Sequence, residues 1–118
     1  PTIVGEGEGK IIFGLPGHPV SSIMVFKAIV EYYVRHKMGI IDFTPKTKAI
    51  MDFNFPSSPG RETYQMVKLK EKDGKLYATP NFGESGMITL LADADGYIVI
   101  KTHEEGVYKG EEREVYLL

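Results

Sequence analysis

Apolar and polar positions follow two different periods along this chain, and the change falls near residue 45. Residues 1–9 are rich in Gly and Glu and read as a loop. Residues 10–13 are a short apolar run ending at Gly14, the pattern of a buried strand. A Gly-x-Pro-Gly corner follows, and then a helix. Pro19 suits the first helical position, where a missing N–H costs nothing. His18 is then the cap, although it is not a favoured capping type. The helix is predicted to reach Lys37 or Met38 and to stop at Gly39, beside the basic Arg35, His36 and Lys37. Lys27, Glu31 and Arg35 recur every fourth residue as one narrow polar stripe. Nearly everything else between Val20 and Val34 is apolar, Phe26 and Tyr33 included. A helix apolar around most of its girth expects cover on several sides. One short strand cannot supply it, so either the protein oligomerises or the rest of the helix's domain is missing.

From residue 44 the period drops to two. Ala49, Met51, Phe53 and Phe55 alternate with Lys48, Asp52 and Asn54, which predicts a half-buried strand. Residues 62–71 read as a second strand. Its apolar phase shifts from Tyr64 and Met66 to Val67 and Leu69, which predicts a β-bulge. Asp73-Gly74 is a hairpin turn, and residues 76–79 are the return strand. Ser85 reads as the cap of a short helical turn with Met87, Leu90 and Leu91 facing the core. Asp93 to Gly96 ends that turn, and residues 97–101 and 113–118 are the remaining strands. The pattern predicts a mainly β chain with one helix, α+β overall. Residues 1–45 read as a strand-and-helix remnant of an α/β domain, and residues 46–118 as a small all-β domain, barrel-like. The boundary falls in "DFTPK", and no internal repeat is present.

Composition narrows the function classes. The chain has 118 residues, enough for one core without metal or disulfide. Its net charge is −2, and its basic residues are scattered, so it carries no footprint for nucleic acid or an anionic membrane. Lys46 and Lys48, and Lys68, Lys70 and Lys72, read as solvated strand faces. There are no cysteines, which removes disulfides, thiolate nucleophiles and Cys-type zinc sites and fits a cytoplasmic protein. The apolar stretch over residues 20–34 is broken by charges and is not a membrane span. The chain begins at Pro1, as a piece of something longer would.

Several side chains are candidates for chemistry. His18, His36 and His103 lie far apart, and no pair has metal-ligand spacing. Asp93 and Asp95 read as a helix-ending turn, and Glu104, Glu105, Glu111 and Glu112 as a solvated loop face. Arg61 follows a Pro-Gly turn and opens a strand. The corner "GLPGHPVS" ends a strand and begins a helix, where unpaired N–H groups attract anions. Its two prolines remove donors, so it is a rigid wall and no phosphate cradle. It is either a ligand contact or an ordinary corner.

"GLPGHPVSS" followed by an apolar helix resembles the third domain of the MoeA family of molybdopterin molybdenumtransferases, to which the gephyrin E domain is related. "PGRETYQMVKL", "SGMITLLADADGYIVI" and "GVYKGEEREVYLL" resemble later parts of the same family, in order. The resemblance implies a parent about three times this length. That parent is a homodimer that inserts molybdate, or tungstate in archaeal relatives, into the dithiolene of adenylylated molybdopterin, releasing AMP with magnesium. It implies that residues 46–118 are a fourth domain of the β-clip kind. It also implies that Pro16, Gly17 and Pro19 line the substrate and that Arg61 and Ser85 face the pterin or molybdate cleft. The family's acidic metal-binding motif and its lysines precede the corner. This chain alone is therefore expected to be inactive and to bind no metal. Two rivals are a non-catalytic β module for dimerisation or docking, and an unrelated nucleotide-binding domain whose corner grips a phosphate.

Overall fold

The structure, a computed structural model, describes residues 2–40, 45–81 and 88–118. The chain folds as two compact units, residues 1–43 with 84–88 and residues 44–83 with 89–118. In the first, β1 (Ile3–Gly7) and β2 (Lys10–Gly14) form an antiparallel hairpin with Ile3 opposite Gly14 and Gly7 opposite Lys10. The loop expected over residues 1–9 is therefore largely a strand. Glu8 and Gly9 both take positive φ, 53° and 74°, which makes the two-residue turn that suits strand twist. The strand expected to be buried is not, for Ile12 is 66% exposed. A two-stranded ribbon cannot cover both of its own faces.

The helix runs without a break from Pro19 to Lys37 but not uniformly. It comprises α1 (Pro19–Val25), a π-helical turn (Phe26–Val30) and α2 (Glu31–Lys37). His18 is the cap, with no side-chain capping bond, and Pro19 opens the first turn. Past the helix, Gly39 takes φ 69°, the left-handed stop the sequence predicts. Glu31 N–H donates five residues back to the Phe26 carbonyl, a wider turn that no propensity signals. Glu31 also ties the polar stripe together, 3.2 Å from Lys27 and 3.0 Å from Arg35. Val20 and Met24 are buried, while Phe26, Ile29, Tyr32 and Val34 stay exposed. Tyr33 instead packs its ring 5.5 Å from Phe13 on the hairpin.

The second unit contains β3 (Lys46–Met51), β4 (Phe55–Pro56), β5 (Thr63–Lys72), β6 (Lys75–Pro80), α3 (Ile88–Ala92), β7 (Gly96–Ile100), β8 (Gly106–Val107) and β9 (Glu112–Leu117). Five of these close a barrel in the order β3-β6-β5-β7-β9. Its pairs are antiparallel except β3 with β6, where Ile50 lies opposite Tyr77. The core holds Ala49, Met51, Val67, Ala78, Ile98, Ile100, Val107 and Val115, with Phe55, Leu69 and Leu76 against it.

Two expectations fail in this unit. Phe53 is 50% exposed, because β3 ends at Met51 and the chain turns so that Phe55 pairs with Val107 in a separate short ribbon. No bulge interrupts β5. Thr63 to Val67 pair in unbroken register with Ile100 to Gly96, and Val67 to Lys72 with Pro80 to Lys75. The phase shift has another cause. Val67 belongs to the core, whereas the alternate face carries Met66, itself 2% exposed, and Tyr64. Both faces of this strand are apolar, so alternation breaks down without an inserted residue. The Asp73-Gly74 hairpin turn is as expected, with φ 52° and 75°.

Two groups of acidic residues have definite structural work. The Asp95 carboxylate accepts from Leu69 N–H at 2.8 Å, and Asp95 N–H donates to the Val67 carbonyl at 3.0 Å, so the residue prolongs the β5–β7 ladder. Asp93 pairs with Lys68 at 2.6 Å. Glu104 and Glu111 are not the solvated face expected. Both grip Arg113, Glu104 through the outer guanidinium nitrogen and Glu111 through Nε at 3.0 Å. Glu104 also accepts from Lys101 N–H at 2.9 Å, and Glu111 from Tyr108 N–H at 3.2 Å. This clasp fixes residues 101–111, the connection that carries β8.

Two outcomes follow for stability. The Arg113 hydrogen bond holds the Glu104 carboxyl down to about 2, from an ordinary value of 4.5. A depressed carboxylate contributes stability that is complete above its unfolded value and is lost as pH falls toward 2. Glu104→Gln should therefore cost about 1 kcal/mol at neutral pH, with the exposed fraction of the pair limiting the effect. That cost should shrink between pH 4.5 and 2, as read from urea midpoints across that range. At Gly106, φ is 145° and a Cβ would collide with the backbone of Phe55 and Pro56. Gly106→Ala should lower stability by roughly 2 kcal/mol or more, as a loss of several degrees in Tm.

Candidate functional site

Pro16, Gly17 and Pro19 form the corner between β2 and α1. His18 between them is extended, at φ −73° and ψ 129°, and its carbonyl accepts from Ser22 N–H at 2.9 Å. The first turn is thus closed by backbone, and the prolines leave few donors to a ligand. Gly17 is exposed, and a Cβ there would meet nothing within 4 Å. Folding of the corner does not require glycine at that position, and its bare backbone faces open space.

Arg61 belongs to the second unit, where a turn over residues 57–62 leads into β5. The turn is tied at several points. Ser57 N–H donates to the Glu105 carbonyl at 2.7 Å, and the Ser57 and Thr63 hydroxyls are 2.9 Å apart. Gly60 N–H donates to the Thr102 carbonyl at 2.8 Å, with Gly60 at φ 90°, a conformation that favours glycine. The base of Arg61 is therefore held while its side chain is exposed. Among the described residues its guanidinium has no ion pair or hydrogen bond, unlike Arg35 and Arg113, which are each bound to carboxylates.

The acid next to Arg61 is engaged elsewhere. Glu62 Oε1 accepts from the Tyr64 hydroxyl at 2.7 Å, and its Oε2 lies 3.3 Å from the Lys101 ammonium. The Tyr64 bond first, and Lys101 with it, hold the Glu62 carboxyl below its usual range, although partial burial opposes them. Burial and the Glu62 carboxylate push the Tyr64 hydroxyl up to about 12. Tyr64 packs 5.9 Å from Tyr97, whose ring stacks 5.3 Å from Tyr116. Glu62 and Lys101 face one another because they continue the β5–β7 register one step beyond Thr63 and Ile100. Strand pairing is not written in local sequence, so the sequence reading missed this network. The only local signal is the two-residue spacing of Glu62 and Tyr64 on one strand face.

Ser85 lies outside the described residues, as do Glu84 and Met87. Among the described residues no three His, Cys, Asp or Glu side chains converge as a metal site would require. No described helix is long and apolar enough to cross a membrane.

Comparison with known proteins gives these residues a context. Residues 48–118 match the family described as MoeA C-terminal region (domain IV). The chain is 26% identical to molybdopterin molybdenumtransferase of Bacillus subtilis, over 99% of its own length and 28% of that protein. It is 32% identical to a putative molybdopterin biosynthesis protein of Methanocaldococcus jannaschii, over 92% of its length and 25% of that protein. Among solved structures, a molybdopterin biosynthesis MoeA protein of Pyrococcus horikoshii superposes with a TM-score of 0.83 at 34% identity, covering 99% of this chain and 28% of that one. A molybdenum cofactor biosynthesis protein of Pyrococcus furiosus gives 0.79 at 30% identity, covering 98% and 40%. The chain thus spans well under half the length of these relatives. The match to the family covers most of the barrel and includes Arg61, Glu62, Tyr64 and Lys101. The chain belongs to the MoeA family, and residues 48–118 are its C-terminal region, domain IV.

Proposed function

We propose that this chain is the C-terminal part of a molybdenum cofactor biosynthesis enzyme, a molybdopterin molybdenumtransferase. In this reading the whole protein works in the cytoplasm as a homodimer. It inserts molybdate, or tungstate, into adenylylated molybdopterin and releases AMP. The observation that carries the reading is the 26% identity, over 99% of this chain and 28% of the relative, to a protein named molybdopterin molybdenumtransferase. Molybdate here is the substrate. Magnesium is assigned to the whole protein, and among the described residues no three His, Cys, Asp or Glu side chains converge. The part assigned to this chain is binding and orientation.

Arg61 suits that part. A guanidinium offers a planar fork of donors to a tetrahedral oxyanion, molybdate or the phosphate of the pterin, and stays charged at any working pH. Its exposed position on a tied turn leaves it open to a ligand, and among the described residues it has no carboxylate partner to compete. Ser85, outside the described residues, is assigned to substrate binding as a short hydroxyl donor on the family resemblance alone. The corner at Pro16, Gly17 and Pro19 is assigned to the substrate wall, because it is rigid and open and offers little hydrogen bonding.

A second reading, a non-catalytic module for dimerisation or docking, is favoured by the exposed Phe26, Ile29, Tyr32 and Val34 on the helix. Large apolar side chains left exposed along one helix suit an interface. The third possibility, a corner that grips a phosphate directly, fits poorly with two prolines that donate nothing.

The chain alone, given adenylylated molybdopterin, molybdate and magnesium, should release no AMP above background. AMP release at the rate of a full-length relative would overturn the assignment of this chain as one part of the enzyme. In the full-length protein, Arg61→Ala should remove roughly 1.5–3 kcal/mol of charge-assisted binding, about ten- to a hundredfold in rate. Its Tm should stay close to the original. Full activity, or loss only through unfolding, would withdraw Arg61 from the site. Replacing Phe26 and Tyr32 together with lysine should shift the chain toward monomer in light scattering. A monomer before and after would count against the dimerisation reading.

A further inference from the structure

Arg61, which has no ion pair or hydrogen bond among the described residues, adjoins Glu62 in the chain, and a carboxylate that turned toward it would compete with an anionic ligand. Here both Glu62 oxygens are already taken, one by the Tyr64 hydroxyl at 2.7 Å and one by the Lys101 ammonium at 3.3 Å. We infer that Tyr64 and Lys101 are positioning residues that hold the Glu62 carboxylate away from Arg61 and so keep the guanidinium open to an oxyanion. The inference rests on the reading of Arg61 as an anion-binding group.

Each holding group is itself fixed. The Tyr64 ring lies against Tyr97, and Tyr97 against Tyr116, so three adjacent strands set the direction of the phenol. Lys101 is anchored by its N–H on Glu104, which grips Arg113. Glu111 is also spent on Arg113. Glu105, the remaining acid of the neighbouring connection, gives its carbonyl to Ser57 and makes no ion pair with Arg61. Glu84 lies outside the described residues. Glu62, Glu104 and Glu111 are thus each bound to a partner other than Arg61. The Tyr64 hydrogen bond, and Lys101 with it, lower the Glu62 carboxyl from its ordinary value, so both partners favour its charged form.

The physical consequence is a competition. Apparent affinity falls in proportion to the fraction of molecules whose binding group is free. If Glu62 turned to Arg61 in nine molecules of ten, an oxyanion would bind about tenfold more weakly. Tyr64→Phe removes one holding bond without changing any charge, which makes it the informative variant.

The test is isothermal titration of the 118-residue chain with molybdate and, separately, with inorganic phosphate. The anion that binds identifies which source of oxyanion the site accepts. Tyr64→Phe should weaken binding about fivefold, within the tenfold limit above. In a Glu62→Gln background the same Tyr64→Phe change should have no effect beyond about twofold, because the competitor is gone. A merely structural role for Tyr64 would persist in that background. If Tyr64→Phe does not fold, Lys101→Met runs the same cycle. The inference is overturned if Arg61→Ala abolishes binding while neither Tyr64→Phe nor Lys101→Met weakens it, or if the weakening is equal with Glu62→Gln. Arg61→Ala without effect, or a wild-type chain that binds neither anion, overturns the underlying reading of Arg61 and the inference with it.

Discussion

The antiparallel pairing of Thr63–Val67 with Gly96–Ile100 is the constraint on which the rest of the barrel's chemistry depends. It puts Val67, Ile98 and Ile100 into one core and so anchors β5 and β7 by burial, worth about 1.5–3 kcal/mol per large apolar side chain. The same pairing directs what lies just past the strand ends. The Arg61 turn and the Lys101 connection meet there because the register places Glu62 beside Lys101. The Gly60 N–H bond to the Thr102 carbonyl then ties the two segments at a second point. Strand register, a property of the core, thus sets which charges face each other at the rim.

That rim separates charges by their partners. Arg113 is enclosed by Glu104 and Glu111, with only about a fifth of its side chain exposed, and it serves to hold a connection. Lys101 serves to hold Glu62. Arg61 alone of the arginines is left to the solvent among the described residues. Clasped ion pairs fix the backbone, and under the proposed function the unclasped cation is the one left for a ligand, so that stability and recognition would fall to different side chains of similar chemistry. The first unit shows the opposite economy. Its hairpin and helix bury little more than Val20 and Met24 and leave a broad apolar surface exposed, as expected of elements whose full cover comes from elsewhere.

Much of this was legible in the residues. The helix from Pro19, the stop at Gly39, the Asp73-Gly74 hairpin and the mainly β second half follow from local turn chemistry and period. Three features were not. The strand Ile3–Gly7 hid in a Gly- and Glu-rich stretch, because composition says loop while the Glu8-Gly9 turn says hairpin. The apolar shift at Met66 and Val67 looked like a bulge, because one-dimensional alternation cannot distinguish an inserted residue from a strand covered on both faces. Glu104 and Glu111 looked solvated, because their partner Arg113 becomes a neighbour only when the connection folds back. Of the proposed site, Arg61 came from the family resemblance, since its Pro-Gly turn alone says little, whereas the Tyr64–Glu62–Lys101 network depends on strand pairing and could not be read locally.

The central claim is that Arg61 is a free guanidinium held on a fixed turn and available to an oxyanion. The most direct measurement is an NMR titration of the nitrogen-15-labelled chain with molybdate, following the arginine Nε–H resonances. The account predicts that the Arg61 resonance moves saturably while those of Arg35 and Arg113, already bound to carboxylates, stay in place. An Arg61 resonance that does not move, or equal shifts at all three arginines, would contradict it.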